Sequence, residues 1–231
     1  MPKDYFSDAK GDNPFEDPAI AQEWISSVET FSVGREQYVK PTLVTWLSDP
    51  NIHRVMDLGA GEGVAVPLCT GKKYVGIEPS EDLVQRAKQK YGGSAEFIKG
   101  NIYNIPVMSE QFDGAFSANV WFHLQSIDRA SKELSRILVP QGKFLIINPN
   151  PKAYPAWEKY YSDVKKEGKR MEGSVKTGSI SLSKNIFYQH SEEEITEALI
   201  ASGLEIDASA TMYPDPKGSI DLLKYYSGHK R

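Results

Sequence analysis

The chain has 231 residues, 40% of them hydrophobic and 25% charged, and a net charge of −4. That length suits one domain with a sizeable core, and the acidic balance argues against a broad nucleic-acid-binding face. A single cysteine, Cys69, excludes an internal disulfide and a cysteine-based metal cluster, and points to a reducing, cytoplasmic compartment.

Residues 1–18, rich in Asp, Pro, Gly and Asn, read as a loosely structured arm without the apolar stretch of a secretory signal. A short helix is predicted over 19–30, and another over 35–48, where Pro41 starts or kinks it. An alternating rhythm then begins. Strands are predicted at 53–58, 74–78, 95–99, 112–118 and 142–148. Helices are predicted at 62–69, at 81–90 with Ser80 as N-cap, and at 126–138 with an apolar face of Ile127, Ala130, Leu134 and Ile137. The nearly all-apolar segment at 142–148 has the character of a strand buried on both faces. From 150 to 185 the rhythm breaks, with eight Lys/Arg against four Asp/Glu. It resumes with a helix at 191–202, which carries a Ser191–Glu194 capping box and Gly203 as its stop. Two final strands, 204–213 and 219–227, flank a turn containing Pro214, Pro216 and Gly218 and form an antiparallel pair. No run of about 18 apolar residues exists, so no membrane span is expected. Strands alternating with helices predict a Rossmann-like, doubly wound α/β fold. Its seven-stranded sheet is mostly parallel with an antiparallel C-terminal strand, and its ligands bind at the C-terminal strand ends.

The most informative stretch is Val55-Met56-Asp57-Leu58-Gly59-Ala60-Gly61-Glu62-Gly63. Glycines after a strand allow a tight turn and close backbone approach by a ligand. The spacing departs from the dinucleotide GxGxxG, because the third glycine arrives one residue early, and no GK(S/T) follows as a P-loop requires. Asp57 before the glycines would repel a phosphate, which both of those sites hold. It suits a ligand with a cationic, phosphate-free end. Glu78 ends the second strand 19 residues after Gly59, where a carboxylate can accept both hydroxyls of a ribose. The other reading of Glu78 is a solvated strand-end acid.

These residues carry a resemblance. VMDLGAGEG is similar to motif I, (V/I)LDxGxGxG, of class I S-adenosylmethionine-dependent methyltransferases. GIEPS resembles the family's ribose-binding acid, GNIYNIP its GD(A/I)xxLP, FDGAFSANVWFHL its fourth motif, and ELSRILVPQGKFLII its ExxRVLKPGGxLxI. The resemblance runs from about residue 35 to 213, closest to the small-molecule, type 11-like branch. It implies S-adenosyl-L-methionine as cofactor, held by Asp57, Gly59, Ala60, Gly61, Gly63, Glu78, Pro79, Asn101, Ile102, Asn119 and Val120. Asn101 departs from the family's acid, although its amide oxygen can still accept from an adenine amine; a plain turn is the other reading. The division implied is an N-terminal arm or cap over 1–34 and a methyltransferase domain over 35–231, with 150–188 as an acceptor lid.

Methyl transfer from a sulfonium is an in-line displacement that chiefly needs alignment and exclusion of water. No metal is implied. His123 is the catalytic candidate, as a base past the fourth strand. A packed histidine bonded to backbone is the preferred reading, since the family carries His here without using it as a base. Tyr154, Trp157, Tyr160 and Tyr161 are candidates to line an aromatic pocket or to pack the lid. The run Lys165–Arg170 reads as a solvated face, with an anion site as the other reading. Tyr38 and Trp46 cap the cofactor or belong to the core. The expected partner is a small-molecule acceptor rather than nucleic acid: no Pro-Pro step follows the fourth strand, and Cys69 is misplaced for a cytosine-methylating nucleophile. A cofactor-binding homologue without activity, a protein or nucleic-acid methyltransferase and a nicotinamide-dependent enzyme are the alternatives.

Overall fold

Asp113 begins a strand and accepts the backbone N–H groups of both His53 and Arg54, each at 2.8 Å, which sets two neighbouring strands level at their starts. The sheet grows outward from that pair. The computed structural model describes residues 13–28, 34–177, 180–215 and 220–231. Its strands are β1 (Arg54–Leu58), β2 (Lys73–Glu78), β3 (Glu96–Lys99), β4 (Phe112–Ala118), β5 (Leu138–Pro149), β6 (Tyr161–Glu167), β7 (Arg170–Thr177), β8 (Ile180–Tyr188), β9 (Leu204–Pro214) and β10 (Asp221–Lys230). Its helices are α1 (Pro18–Val28), α2 (Lys40–Leu47), α3 (Glu81–Tyr91), α4 (Ile127–Ile137), α5 (Tyr154–Glu158) and α6 (Glu192–Ala201).

Seven strands share one sheet in the order β3-β2-β1-β4-β5-β10-β9, and β10 runs antiparallel to both its neighbours. This is the predicted Rossmann-like sheet with its antiparallel C-terminal strand. Apolar residues cover both faces. Met56, Leu58, Leu134, Ile137 and Leu199 lie in the core shared with α4 and α6, while Val55, Leu43, Leu47, Val84 and Ala87 lie in the core shared with α2 and α3. The strand order reverses between β1 and β4, so a crevice opens beyond Leu58 and Ala118. Ser117 closes the floor there by donating to the Leu58 carbonyl at 2.9 Å.

Three local expectations change. No α-helix forms over 62–69: the chain leaves the glycines in turns and a short 3-10 helix, Val66–Leu68. Pro67 lacks the N–H that a helix would return to residue 63, and Gly63 is left-handed at φ 82°. The helix over 35–48 is split into a π-turn at Gly34–Val39 and α2, with Pro41 in the first turn of α2, where a missing N–H costs nothing. The Ser80 hydroxyl makes no cap bond at α3, whereas both halves of the Ser191–Glu194 capping box form. Of the loose arm, residues 1–12 lie outside the described residues, as do 29–30 of the predicted first helix and the turn residues Pro216 and Gly218. The end of the arm is ordered: Asn13 caps a 3-10 turn at Pro14–Glu16 that leads into α1.

The segment after β5 has regular structure that the sequence reading lacked. β6, β7 and β8 form a separate antiparallel three-stranded sheet. α1 packs along its edge strand β8. The Glu23 carboxylate accepts the Ser183 N–H at 2.7 Å and hydroxyl at 3.0 Å, and the Ser27 hydroxyl accepts the Ser181 N–H at 3.1 Å. The opposite side of α1 buries Ala21 and Ile25 against Leu83 of α3. Among the described residues no helix is long and apolar enough to cross a membrane.

Candidate functional site

The three glycines after β1 are all left-handed, at φ 82°, 54° and 82°, a region that L side chains rarely adopt. Their surroundings differ. A Cβ on Gly59 would sit 2.3 Å from Val120 Cγ2, so this glycine lets the β1 and β4 loops touch. A Cβ on Gly61 would meet nothing nearer than Trp24 Nε1 at 4.0 Å, so this backbone faces open space. A Cβ on Gly63 would strike Phe97 and Tyr91 at 2.9 and 3.0 Å. The Gly59 and Ala60 N–H groups both donate to the Ile77 carbonyl, which ties the loop to β2.

Two acids flank the loop. Asp57 is 4% exposed and accepts the Tyr74 hydroxyl at 2.6 Å. Glu78 is 6% exposed and accepts the Gly61 and Ser80 N–H groups, each at 3.0 Å. Burial pushes the Asp57 carboxyl up to about 7, with the Tyr74 bond opposing and the Glu78 charge adding. Burial also pushes Glu78 up to about 7, against its two N–H bonds and helped by the charge of Glu16. Neither acid has a basic partner among the described residues. Glu62 does: Arg86 and Lys90 of α3 hold it at 2.5 and 2.9 Å. Buried carboxylates without counter-charge are costly, so this loop fits a ligand that brings positive charge and is unsuited to phosphate.

One cavity of about 480 Å³ lies over the crevice, within the range usual for small-molecule sites. Every residue proposed from the sequence to hold the cofactor lines it except Gly63, and His123 lines it too. Gly63 is buried, and a side chain there would collide with Phe97 and Tyr91. Asn101 follows the plain-turn reading in part. Its Oδ1 accepts the Tyr103 N–H at 2.9 Å, which leaves one lone pair of that oxygen for a ligand. Asn119 is left-handed at φ 59° and its N–H donates to the Ile147 carbonyl, so its side chain leaves the strand end toward the cavity.

His123 ends a 3-10 turn, Trp121–His123. Its Nδ1 lies 2.6 Å from the Ile186 carbonyl, which can only accept, so Nδ1 carries the proton and Nε2 the lone pair. Burial lowers its pKa to about 4, with the Ile186 bond opposing, and the ring is neutral near pH 7. Phe122 lies against it at 3.8 Å between centroids. This is the packed, backbone-bonded histidine, with an accepting nitrogen left over. His190 is similarly bonded, to the Leu124 carbonyl.

Of the four aromatics at the start of the lid, Tyr154, Trp157 and Tyr161 line the cavity and Tyr160 does not. Tyr38 packs on Tyr213 and Trp46 on Phe116, outside the cavity lining. In the basic run, Lys166 pairs with Glu158, Lys169 with Glu194 and Arg170 with Glu172, as a solvated face does. Cys69 is buried, and burial with the nearby Asp57 charge pushes its thiol up to about 12. The sequence reading missed Phe15 and Trp24 from the N-terminal region, and Val175, Asn185 and Phe187 from the lid, all of which line the cavity. The run Ile186-Phe187-Tyr188 was the available signal for the lid residues.

Residues 56–146 match a family described as "Methyltransferase domain". The chain is 26% identical over 146 residues to a 2-phytyl-1,4-naphtoquinone methyltransferase of Trichormus variabilis, a match covering 57% of this chain and 63% of that relative. The match thus spans less than two thirds of that curated relative. In fold the chain is similar to a Pyrococcus horikoshii protein, with TM-score 0.71 and 17% identity over 86% of this chain and 90% of the other. It is also similar to a putative S-adenosylmethionine-dependent methyltransferase of Listeria monocytogenes, with TM-score 0.65 and 18% identity over 83% of this chain and 97% of the other.

Proposed function

We propose that this chain, which belongs to the class I S-adenosylmethionine-dependent methyltransferase superfamily, moves a methyl group from S-adenosylmethionine to a small, apolar aromatic acceptor. The observation that carries the reading is the single cavity running from the uncompensated acids Asp57 and Glu78 to the aromatic wall of the lid. When bound, the cofactor supplies a methyl on a sulfonium. Asp57 and the open backbone of Gly61 receive the cationic amino-acid end. Glu78 keeps lone pairs for the ribose hydroxyls beside its two N–H bonds. Asn101 and Ile102 take the adenine, with Pro79 on the same wall, and Asn119 and Val120 border the transfer point.

The protein's part is alignment and exclusion of water. Residues 150–188 act as the lid and residues 1–34 as the cap, with Phe15 and Trp24 closing the wall that the lid leaves open. His123 serves as wall and hydrogen-bond acceptor rather than as a strong base, given its lowered pKa. The relative named for a naphthoquinone acceptor is consistent with the largely apolar, aromatic-lined space here. The test is release of S-adenosylhomocysteine from S-adenosylmethionine across a panel of apolar ring acceptors and a panel of nucleic acids and peptides. Turnover confined to the small acceptors supports the reading, and turnover confined to the macromolecules refutes it.

A further inference from the structure

The lid brings one polar constellation into an otherwise apolar end of the cavity. Asn185, on β8, is 5% exposed and lines the cavity between Leu182 and Phe187. Its Nδ2 donates to the Tyr161 hydroxyl at 2.6 Å, while its buried Oδ1 has no hydrogen-bond partner among the described residues. Buried amide oxygens are seldom left in that state unless something outside the chain pairs them. The next residue along β8, Ile186, uses its carbonyl to fix His123 Nδ1–H, so the second ring nitrogen of His123 is also an acceptor. β8 therefore sets two acceptors, Asn185 Oδ1 and His123 Nε2, among rings such as Phe122, Tyr154 and Phe187. Such a wall complements a flat apolar molecule carrying one polar hydrogen.

We propose that Asn185 determines acceptor specificity, its Oδ1 accepting a hydrogen bond from a hydroxyl on an aromatic acceptor, with Tyr161 holding the amide in place. The proposal rests on the acceptor lying in this cavity. It concerns which group is recognised, whether or not that group receives the methyl. A ring without the hydroxyl leaves the Asn185 oxygen unpaired. A ring with a carbonyl in its place sets two acceptors against each other.

The experiment is calorimetric titration of the protein saturated with S-adenosylhomocysteine, using naphthol, naphthalene, methoxynaphthalene and naphthoquinone as probes. Naphthol is expected to bind roughly tenfold more tightly than the other three, as one buried hydrogen bond allows. Asn185→Leu is expected to erase that preference and leave S-adenosylhomocysteine affinity unchanged. Tyr161→Phe, which keeps the ring and frees the amide, is expected to reduce the preference without weakening naphthalene, and it decides the matter if Asn185→Leu does not fold. Equal binding of naphthol and naphthalene by the unmodified protein, tighter binding of naphthoquinone, or a preference that survives both substitutions would overturn the proposal. Failure to bind S-adenosylhomocysteine at all would instead overturn the cofactor reading beneath it.

Discussion

Gly59, Gly61 and Gly63 share a backbone conformation but not a role, and substitution separates them. Gly61→Ala places its Cβ in open space, so the fold should lose only the left-handed strain of about 1 kcal/mol, while S-adenosylhomocysteine affinity falls at least about tenfold because the ligand approaches that face. Gly59→Ala should lower stability more, since its Cβ would sit 2.3 Å from Val120. Urea titration paired with calorimetry reads both effects. The acids give a pH signature. Asp57 and Glu78 have pKa values raised to about 7, so the folded protein keeps protons that the unfolded chain releases. Their contribution to stability is present below the ordinary carboxylate range and is lost as pH rises through about 7. Asp57→Asn should therefore match the unliganded wild type in thermal stability in acid and exceed it above about pH 7. Affinity for the cationic ligand should move the other way, rising with pH through the same range, and a flat profile would remove the charge argument. At this scale the sequence was legible where chemistry is local: Asp57, Glu78 and the glycine spacing needed no tertiary information. Gly63 and Asn101 were less so, because packing under Phe97 and a turn closing on Tyr103 depend on residues brought in by the fold.

The central strands of the main sheet, β1, β2, β4 and the second half of β5, were legible because they are buried on both faces and read as apolar runs bounded by turns. β6 was not, for the opposite physical reason: all of it beyond Tyr161 is exposed, so it lacks the alternation of a half-buried strand. β8 opens with Ile180 and Leu182 alternating with serines and is continuously buried only over its last four residues. The predicted helix over 62–69 failed because Pro67 and Gly63 outweigh its apolar spacing. The contact between α1 and β8 was equally hidden, since 160 residues separate Glu23 from Ser183. Glu23→Ala should remove the acceptor for both Ser183 hydrogens and cost about 1 kcal/mol locally. Hydrogen exchange should then quicken in β8 with the strands of the main sheet unchanged. Unaltered protection in β8 would mean that α1 does not brace the lid.

The whole molecule combines a rigid sheet with a separately built roof. Leu134 and Ile137 of α4 are 1% and 0% exposed, in the core on one face of the sheet. Leu134→Ala should cost about 2–5 kcal/mol in unfolding free energy, yet leave ligand affinity nearly intact in the fraction that remains folded. Site substitutions such as Asp57→Ala should do the reverse. That separation of stability from binding is what a site made of loops on a packed scaffold implies. Binding of a cationic, phosphate-free nucleoside ligand in this crevice is what separates the protein from a dinucleotide-binding one. Its most direct test is the thermal shift of the intact protein with S-adenosylhomocysteine or with NAD, repeated in Asp57→Ala. A rise in melting temperature with S-adenosylhomocysteine alone, lost in Asp57→Ala, is the predicted result; stabilisation by NAD, or a shift that persists undiminished in Asp57→Ala, would contradict it.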